Sequence, residues 1–582
     1  MSIQNTFGRS LVAVRSWPFF TDLVVASFGL ALFFGMMRVG SYWLTNPMPE
    51  VAISHSVRAL PLYAFYSVVR IGIAYLFSLI FAVAYGYTAA YNPRVEAWMI
   101  AVLDILQSIP VLSFLPGIML AMMALVPGHQ LGIELGAILL IFTGQVWNMA
   151  FSFYSSLKSI PREMIEASRV YRYSAWQRFW QLEMPFSAIG LIWNSIVSVA
   201  SGWFFLITCE MFPLGSRHFR LPGLGSYLQT AASATPVDMH ALLWGLAVLV
   251  LIIVAADQLI WRPLIAWSDK FKFEQVESTT RITSPMLTLL QRSSFLVKLP
   301  SRAWNSLEER IYHRFSATRQ HRAVKPIDDD GKHRGHLLQT GLVIFAGLVL
   351  LWGALEAHNL LQGVSWADVR LLFLGAGATF LRVNVALVIA AAWTIPVGVT
   401  IGSNPKLARV LQPITQVVAS VPATALFPVL MLGLIRMGGG LGIGSIALML
   451  LGTQWYILFN VIAGAMAIPS DLKEAASLYR FTRWQRWTKL ILPGIFPYLI
   501  TGMITASGGA WNASIIAEYF HIGDKPLQTL GLGAQISAAT DGGKFSTLLL
   551  ATILMATMVV TMNRLVWRRL YRLAETRYKL EV

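Results

Sequence analysis

The 582-residue chain has one cysteine, Cys209, which excludes a disulfide framework and any metal site built from several thiolates. Charge is scarce as well. Only 13% of residues are Asp, Glu, Lys or Arg, against 56% hydrophobic, where a soluble domain carries roughly 25% charged residues. That balance excludes an ordinary soluble enzyme. Acid is the scarcer sign, 28 carboxylates against 45 Lys and Arg, for a formal net charge of +17. Phosphate-loop chemistry is missing too: Gly331-Lys332 and Gly543-Lys544 lack the upstream glycine and the following hydroxyl that cradle a nucleotide. No serine elbow, carboxylate pair or spaced set of metal ligands is present, and His313, His321, His333 and His336 fit no metal signature. No cofactor or catalytic role is expected of this chain, and any nucleotide hydrolysis that drives it must come from a partner.

What the chain does have is apolar length. About twelve runs reach the roughly 20 residues that a bilayer demands of a helix. In the first half they lie near 23–44, 66–90, 98–125, 132–156, 187–208 and 241–262, and in the second near 338–355, 379–402, 408–434, 441–465, 495–516 and 546–566. They are continuous rather than alternating, and only a helix satisfies its own backbone in lipid. The expected fold class is an all-α polytopic membrane protein. The run at 23–44 is too long for a signal-peptide core and reads as a retained span. The expected organisation is a first membrane domain over 1–267, a basic linker over 268–336 with a short amphipathic helix near 304–315, and a second membrane domain over 337–582.

The excess positive charge is not spread as a nucleic-acid surface would require. It collects in two loops, the linker and a C-terminal tail containing Arg564, Arg568, Arg569, Arg572, Arg577 and Lys579. The positive-inside rule places these on the cytoplasmic side, with both termini inside.

The two loops are one sequence written twice. IPREMIEASRVYRYSAWQRFWQLEMP at 160–185 returns as IPSDLKEAASLYRFTRWQRWTKLILP at 468–493, a constant offset of 308 from Pro161 to Pro469. Each reads as a helix opened by proline, with carboxylates (Glu163 and Glu166; Asp471 and Glu474) in its early turns and cations (Arg169, Arg172, Arg178; Arg480, Arg483, Arg486, Lys489) after them. With both loops on one side and equal span numbers, the two six-helix repeats are parallel, and a pathway is expected between them.

The pattern from Glu166-Ala167-Ser168 to Pro185, and from Glu474-Ala475-Ala476 to Pro493, resembles the EAA loop of permeases of ATP-binding-cassette importers. The resemblance implies that these residues, with Arg172 and Arg480, form coupling helices seated on two separate ATPase subunits. One feature departs from the family pattern: Arg172 and Arg480 stand where a glycine is usual, which questions the turn a glycine would allow.

Paired polar residues mark the spans. Arg70 and Arg382 correspond at an offset of 312, as do the third-span prolines Pro110 and Pro422, and Pro116 and Pro428. Such prolines kink or break a helix, the kink being the commoner case. Snorkelling to the outer interface is the simpler account of the arginines, anion attraction the other. Trp203 with Glu210 and Trp511 with Glu518 correspond at 308, each glutamate followed by Gly-Leu-Gly (223–225 and 531–533). This set resembles the nitrate, sulfonate, taurine and bicarbonate permeases. Trp203, Glu210, Trp511, Glu518, Arg70 and Arg382 are thus candidate pathway or gate residues, the alternative being helix caps and packing. A carboxylate is a poor ligand for an anion, so the glutamates are expected to orient donors or pair with an arginine. Arg217, His218 and Arg220 form a basic outer loop suited to a solute-binding protein, or simply solvated.

The resemblance implies an importer permease of the bacterial cytoplasmic membrane, fed by a solute-binding protein, for a small oxyanion or sulfonate such as nitrate, taurine or alkanesulfonate. The alternatives are a gradient-driven secondary transporter with a six-plus-six helix plan, and an importer permease for an unrelated solute such as ferric iron.

Overall fold

The computed structural model describes residues 52–271 and 351–577, apart from 215–216, 235, 439 and 523–524, together with the isolated positions Met286 and Leu348. The expected spans at 23–44 and 338–355 and the linker with its four histidines lie essentially outside the described residues. The chain divides into a unit of Trp43–Asp257 with Ala357–Val582 and a unit of Met1–Tyr42 with Gln258–Glu356. In the smaller unit, Arg262–Ser268 is helical and the Lys270 ammonium lies 4.7 Å from the centre of the Trp267 ring.

The larger unit holds both repeats, and the protein is an all-α polytopic membrane protein. In the first repeat α1 (Leu60–Tyr91), α2 (Pro93–Ser108), α3 (Leu115–Leu125), α4 (Gln130–Lys158), α5 (Arg162–Val170), α6 (Met184–Cys209), α7 (Leu224–Ser233) and α8 (Met239–Ala256) follow in order. The second repeats the order as α9 (Trp366–Ser403), α10 (Pro405–Ser420), α11 (Ala423–Arg436), α12 (Leu441–Ala467), α13 (Ser470–Leu478), α14 (Leu492–Ala517), α15 (Leu532–Asp541) and α16 (Phe545–Met562). Among the described residues, 8 helices are long and apolar enough to cross a membrane.

Three features differ from the sequence expectation. The apolar runs at 98–125 and 408–434 are broken helices rather than single spans: α2 ends before Pro110 and α10 before Pro422, because proline disfavours helical backbone in the residue before it. α9 begins well before its apolar run, at Trp366, because Ser365 caps it by accepting from the Asp368 N–H. The basic loop expected at Arg217, His218 and Arg220 is a β-hairpin, Met211–Leu214 paired with Arg217–Arg220, and the second repeat has its counterpart in Tyr519–Ile522 with Lys525–Gln528.

Within each repeat the fourth-span helix is central: α4 packs on α1 and α6, and α12 on α9 and α14. Close approach depends on small residues. A Cβ on Gly86 would lie 3.0 Å from the Phe153 ring, and one on its counterpart Gly398 would lie 2.8 Å from Val461, so glycine sets the α1–α4 and α9–α12 spacing. The halves meet where the third spans break. The Val111 N–H freed by the break is satisfied by Asn512 Oδ1 of the other half at 2.8 Å, and Thr424 Oγ1 donates back to the Phe204 carbonyl at 3.4 Å.

Candidate functional site

Each repeated loop is built in the same steps. α5 starts after Pro161 and α13 after Pro469, the prolines serving as caps one place before the expected first turn. Both helices then stop at a left-handed residue, Arg172 with φ 52° and Arg480 with φ 49°. The Tyr173 N–H reaches back to the Ser168 carbonyl at 2.9 Å and the Arg172 N–H to Arg169 at 3.0 Å; Phe481 to Ala476 and Arg480 to Ser477 repeat this at 3.0 Å each. This is the hydrogen-bonded stop that glycine usually provides. The turn is therefore kept without its glycine, at a conformational cost of about 1 kcal/mol per loop. The chain restarts through identical capping boxes, Ser174 with Gln177 and Thr482 with Gln485, and runs on into α6 and α14.

The tips of these loops are exposed and apolar. Val170 is 79% exposed and Tyr171 75%, matched by Leu478 at 83% and Tyr479 at 79%. Glu166, Ala167 and Arg172 are exposed beside them, as are Glu474 and Arg480, whereas Ser168 and Ala476 are buried against the loop's own base and Ala475, Pro185 and Pro493 are half-buried. The sequence reading picked out the glutamates and missed the apolar pairs, although two large side chains standing just before the arginine at the end of a water-facing helix were the visible signal.

The first loop is also tied to α1. Glu183 is buried and accepts from Tyr91 Oη and Arg178 Nε at 2.6 Å each, while the Arg178 guanidinium stacks 5.0 Å from the Tyr91 ring centre. In the second half Ser403 at the end of α9 and Ile491 in the loop stand where Tyr91 and Glu183 stand, so this knot belongs to one half.

At the other end of the spans lies a second constellation. Arg70 is not at the interface: its side chain is 0% exposed, held by both oxygens of Glu134 and, at 2.6 Å, by Glu210. Burial between two carboxylates rules out snorkelling, since the guanidinium finds its counter-charges inside. Glu210 stands at the C-terminal end of α6 and caps α7. It accepts from the Gly225 N–H and from Ser67 Oγ at 2.6 Å each, and Ser67 in turn accepts from the Leu224 N–H at 2.9 Å. A side chain at Gly223 would occupy the space of the Glu210 carboxylate, which explains the Gly-Leu-Gly spacing. In the second half Glu518 accepts from Gly533 N–H at 2.9 Å and from Thr379 Oγ1 and Arg382 at 2.8 and 2.9 Å. The expected pairing of each glutamate with an arginine is thus what the structure shows. Glu134 was missed, although a lone carboxylate in an apolar run is itself a signal.

Between the halves, and beside these capped helices, is a cavity of about 690 Å³. The paired prolines Pro116 and Pro428 and the aromatic rings of Phe212, Phe427 and Phe520 line it. Trp203 and Trp511 are buried, and it is Ile207 and Ile515, four residues further along their helices, that reach the cavity wall. Arg220, at the end of the first hairpin, lines the cavity, and its Nε is buried without a hydrogen-bond acceptor among the described residues. Tyr519 and Asp541, hydrogen-bonded to each other, face it from the second half, and both burial and Asp541 push the Tyr519 phenol well above its ordinary value.

The chain matches the family described as binding-protein-dependent transport system inner membrane component twice, over residues 72–259 and 394–578. It is 31% identical over 195 residues to the nitrate import permease protein NrtB of Leptolyngbya laminosa, covering 34% of this chain and 66% of that protein. It is 27% identical over 218 residues to the bicarbonate transport system permease protein CmpB of Synechococcus elongatus, covering 38% and 72%. It is 28% identical over 163 residues to the taurine transport system permease protein TauC of Escherichia coli, covering 28% and 55%. With both repeats matched over most of their length, the chain belongs to the inner-membrane permease family of binding-protein-dependent transport systems.

Proposed function

We propose that this chain supplies both permease halves of an ATP-driven importer, its loops 160–185 and 468–493 each seating on one of two ATPase subunits on the cytoplasmic side. The single observation that supports this most is the identity of the two loop geometries, down to a left-handed arginine and an exposed apolar tip in each. A load-bearing contact used twice must present the same shape twice, whereas a loop serving only as a connector has no reason to retain a strained residue in both copies. Both termini then lie in the cytoplasm, and a solute-binding protein delivers cargo on the opposite side. A family described by its dependence on a binding protein supports this over a gradient-driven transporter working alone.

The solute is a small oxyanion or sulfonate. Relatives named for nitrate, bicarbonate and taurine support this class, and so does the unsatisfied Arg220 donor in the cavity between the halves. Glu210 and Glu518 act on the path by capping α7 and α15, whose residues wall it, rather than by touching the anion. ATPase closure moves the loops, and the halves rock about the seam at Val111 and Asn512. Only the difference in ATPase affinity between the two states can drive that motion.

The test is the pair of substitutions Glu166→Lys and Glu474→Lys. The assembled complex should insert and fold normally yet lose solute-stimulated ATP hydrolysis; unchanged stimulation would remove the basis of the assignment.

A further inference from the structure

A second cavity, of about 460 Å³, opens at the loop side of the spans. α2 and Tyr154 form its wall in the first half, and the end of α16 with the turn Asn563–Trp567 forms it in the second. Its floor is apolar: Ala97, Ile100, Ala101 and Val560. Its rim is not. Glu96 is already occupied, accepting from Lys158 Nζ at 2.8 Å and Tyr154 Oη at 2.7 Å, and these bonds hold its carboxyl below the usual range. Arg564 and Arg568 stand one helical turn apart, both exposed, and neither guanidinium has a hydrogen bond or ion pair among the described residues.

The repeat does not carry the same groups throughout. The repeat places Ala408, Ile462 and Met466 where Glu96, Tyr154 and Lys158 stand, and, at an offset of 306, Gln258 where Arg564 stands and Arg262 where Arg568 stands. The duplicated scaffold therefore does not require Glu96, Tyr154, Lys158 or Arg564. Their chemistry is that of a phosphate site beside a greasy groove: two guanidiniums able to grip phosphate oxygens in bidentate fashion, and an apolar channel continuous with the helix surface, where Leu565 is 53% exposed.

We propose that this cavity binds the phosphodiester headgroup of an anionic phospholipid of the leaflet on the loop side, Arg564 and Arg568 holding the phosphate and the acyl chain lying along Ile100 and Val560. Basic pockets between spanning helices on the cytoplasmic side take anionic headgroups in this way. A free phosphate ion meets the same arginines but leaves the apolar groove unfilled. Because the walls come from both halves, the bound lipid favours the closed seam seen here over any state that parts α2 from α16.

The experiment uses the full-length chain alone in nanodiscs of phosphatidylcholine with a minor fraction of phosphatidylglycerol, with retained lipid measured by native mass spectrometry. Wild type should retain phosphatidylglycerol preferentially, and the preference should fall at least about tenfold in the double variant Arg564→Gln/Arg568→Gln, from about fivefold per arginine. Ile100→Trp, which fills the groove and leaves the charge intact, should lose it as well, and Arg569→Gln/Arg577→Gln should not. Millimolar inorganic phosphate should fail to displace the lipid. No preference in wild type, equal retention in the double variant, or displacement by inorganic phosphate would each overturn the proposal. Neither ATPase nor solute enters this measurement, so its failure leaves the importer reading standing.

Discussion

The two halves share a backbone plan and differ in how they tie it together. At the end of the spans away from the repeated loops Arg70 is sealed between Glu134 and Glu210, while Arg382 pairs with Glu518 and turns its remaining donors to Thr529 and the Leu530 carbonyl, leaving it 15% exposed. The reason is one residue: Gly442 occupies the position of Glu134 in the repeat. On the loop side the first half is knotted by Tyr91, Glu183 and Arg178 and by Glu96 with Lys158, where the second has an apolar cluster of Ile401, Ala408, Leu458 and Ile462. Duplication has preserved the cradles that depend on backbone, the capped α7 and α15 and the left-handed loop turns, and has let the side-chain ties diverge. Buried ion pairs tie the first half at both ends, whereas Arg382 with Glu518 is the second half's tie at the end away from the loops.

The largest effect expected from this difference is at Arg70 and Arg382. Arg70→Met leaves two buried carboxylates without their counter-charge and should cost about 3–5 kcal/mol. Arg382→Met, where Thr379 and the Gly533 N–H still serve the one carboxylate, should cost about 1.5–3 kcal/mol. Thermal unfolding of both variants in the same detergent measures the gap, and equal losses would break the comparison. A smaller effect is expected at the loop. Tyr91→Phe removes one hydrogen bond from buried Glu183 and should destabilise the first half by about 1.5–3 kcal/mol, with increased hydrogen exchange confined to 160–185 and none at 468–493. The smallest effect should be symmetric. Arg172→Gly and Arg480→Gly each relieve a left-handed side chain and should stabilise by about 1 kcal/mol or less; a gain in one loop alone would show that the two turns are not equivalent.

Much of this was legible in the sequence because the chain carries its own alignment. The 308 and 312 offsets exposed the loops, the paired prolines, Arg70 with Arg382, and Glu210 and Glu518 with their Gly-Leu-Gly partners. Comparing the repeats was also the blind spot. Glu134 has no counterpart, and its partner Arg70 is 64 residues away in sequence, so neither periodicity nor repeat pointed to the pair. The prolines marked the third spans for a kink or a break, and hydropathy, which counts apolar residues, could not decide that the backbone breaks. The hairpins were hidden because Pro213 and Pro526 interrupt strands of 4 residues each. The helical start at Trp366 was set by a serine cap, outside the apolar run that a span search follows.

The central claim is that both loops are twin docking points for an ATPase, and cysteine cross-linking tests it directly. Cys209 is buried, so a thiol introduced at Tyr171→Cys or Tyr479→Cys is read against a quiet background. Both positions should react with a membrane-impermeant reagent only from the cytoplasmic side, and both should cross-link to the ATPase subunit in the assembled complex. Labelling from the opposite side, or a cross-link from neither position, would contradict the account.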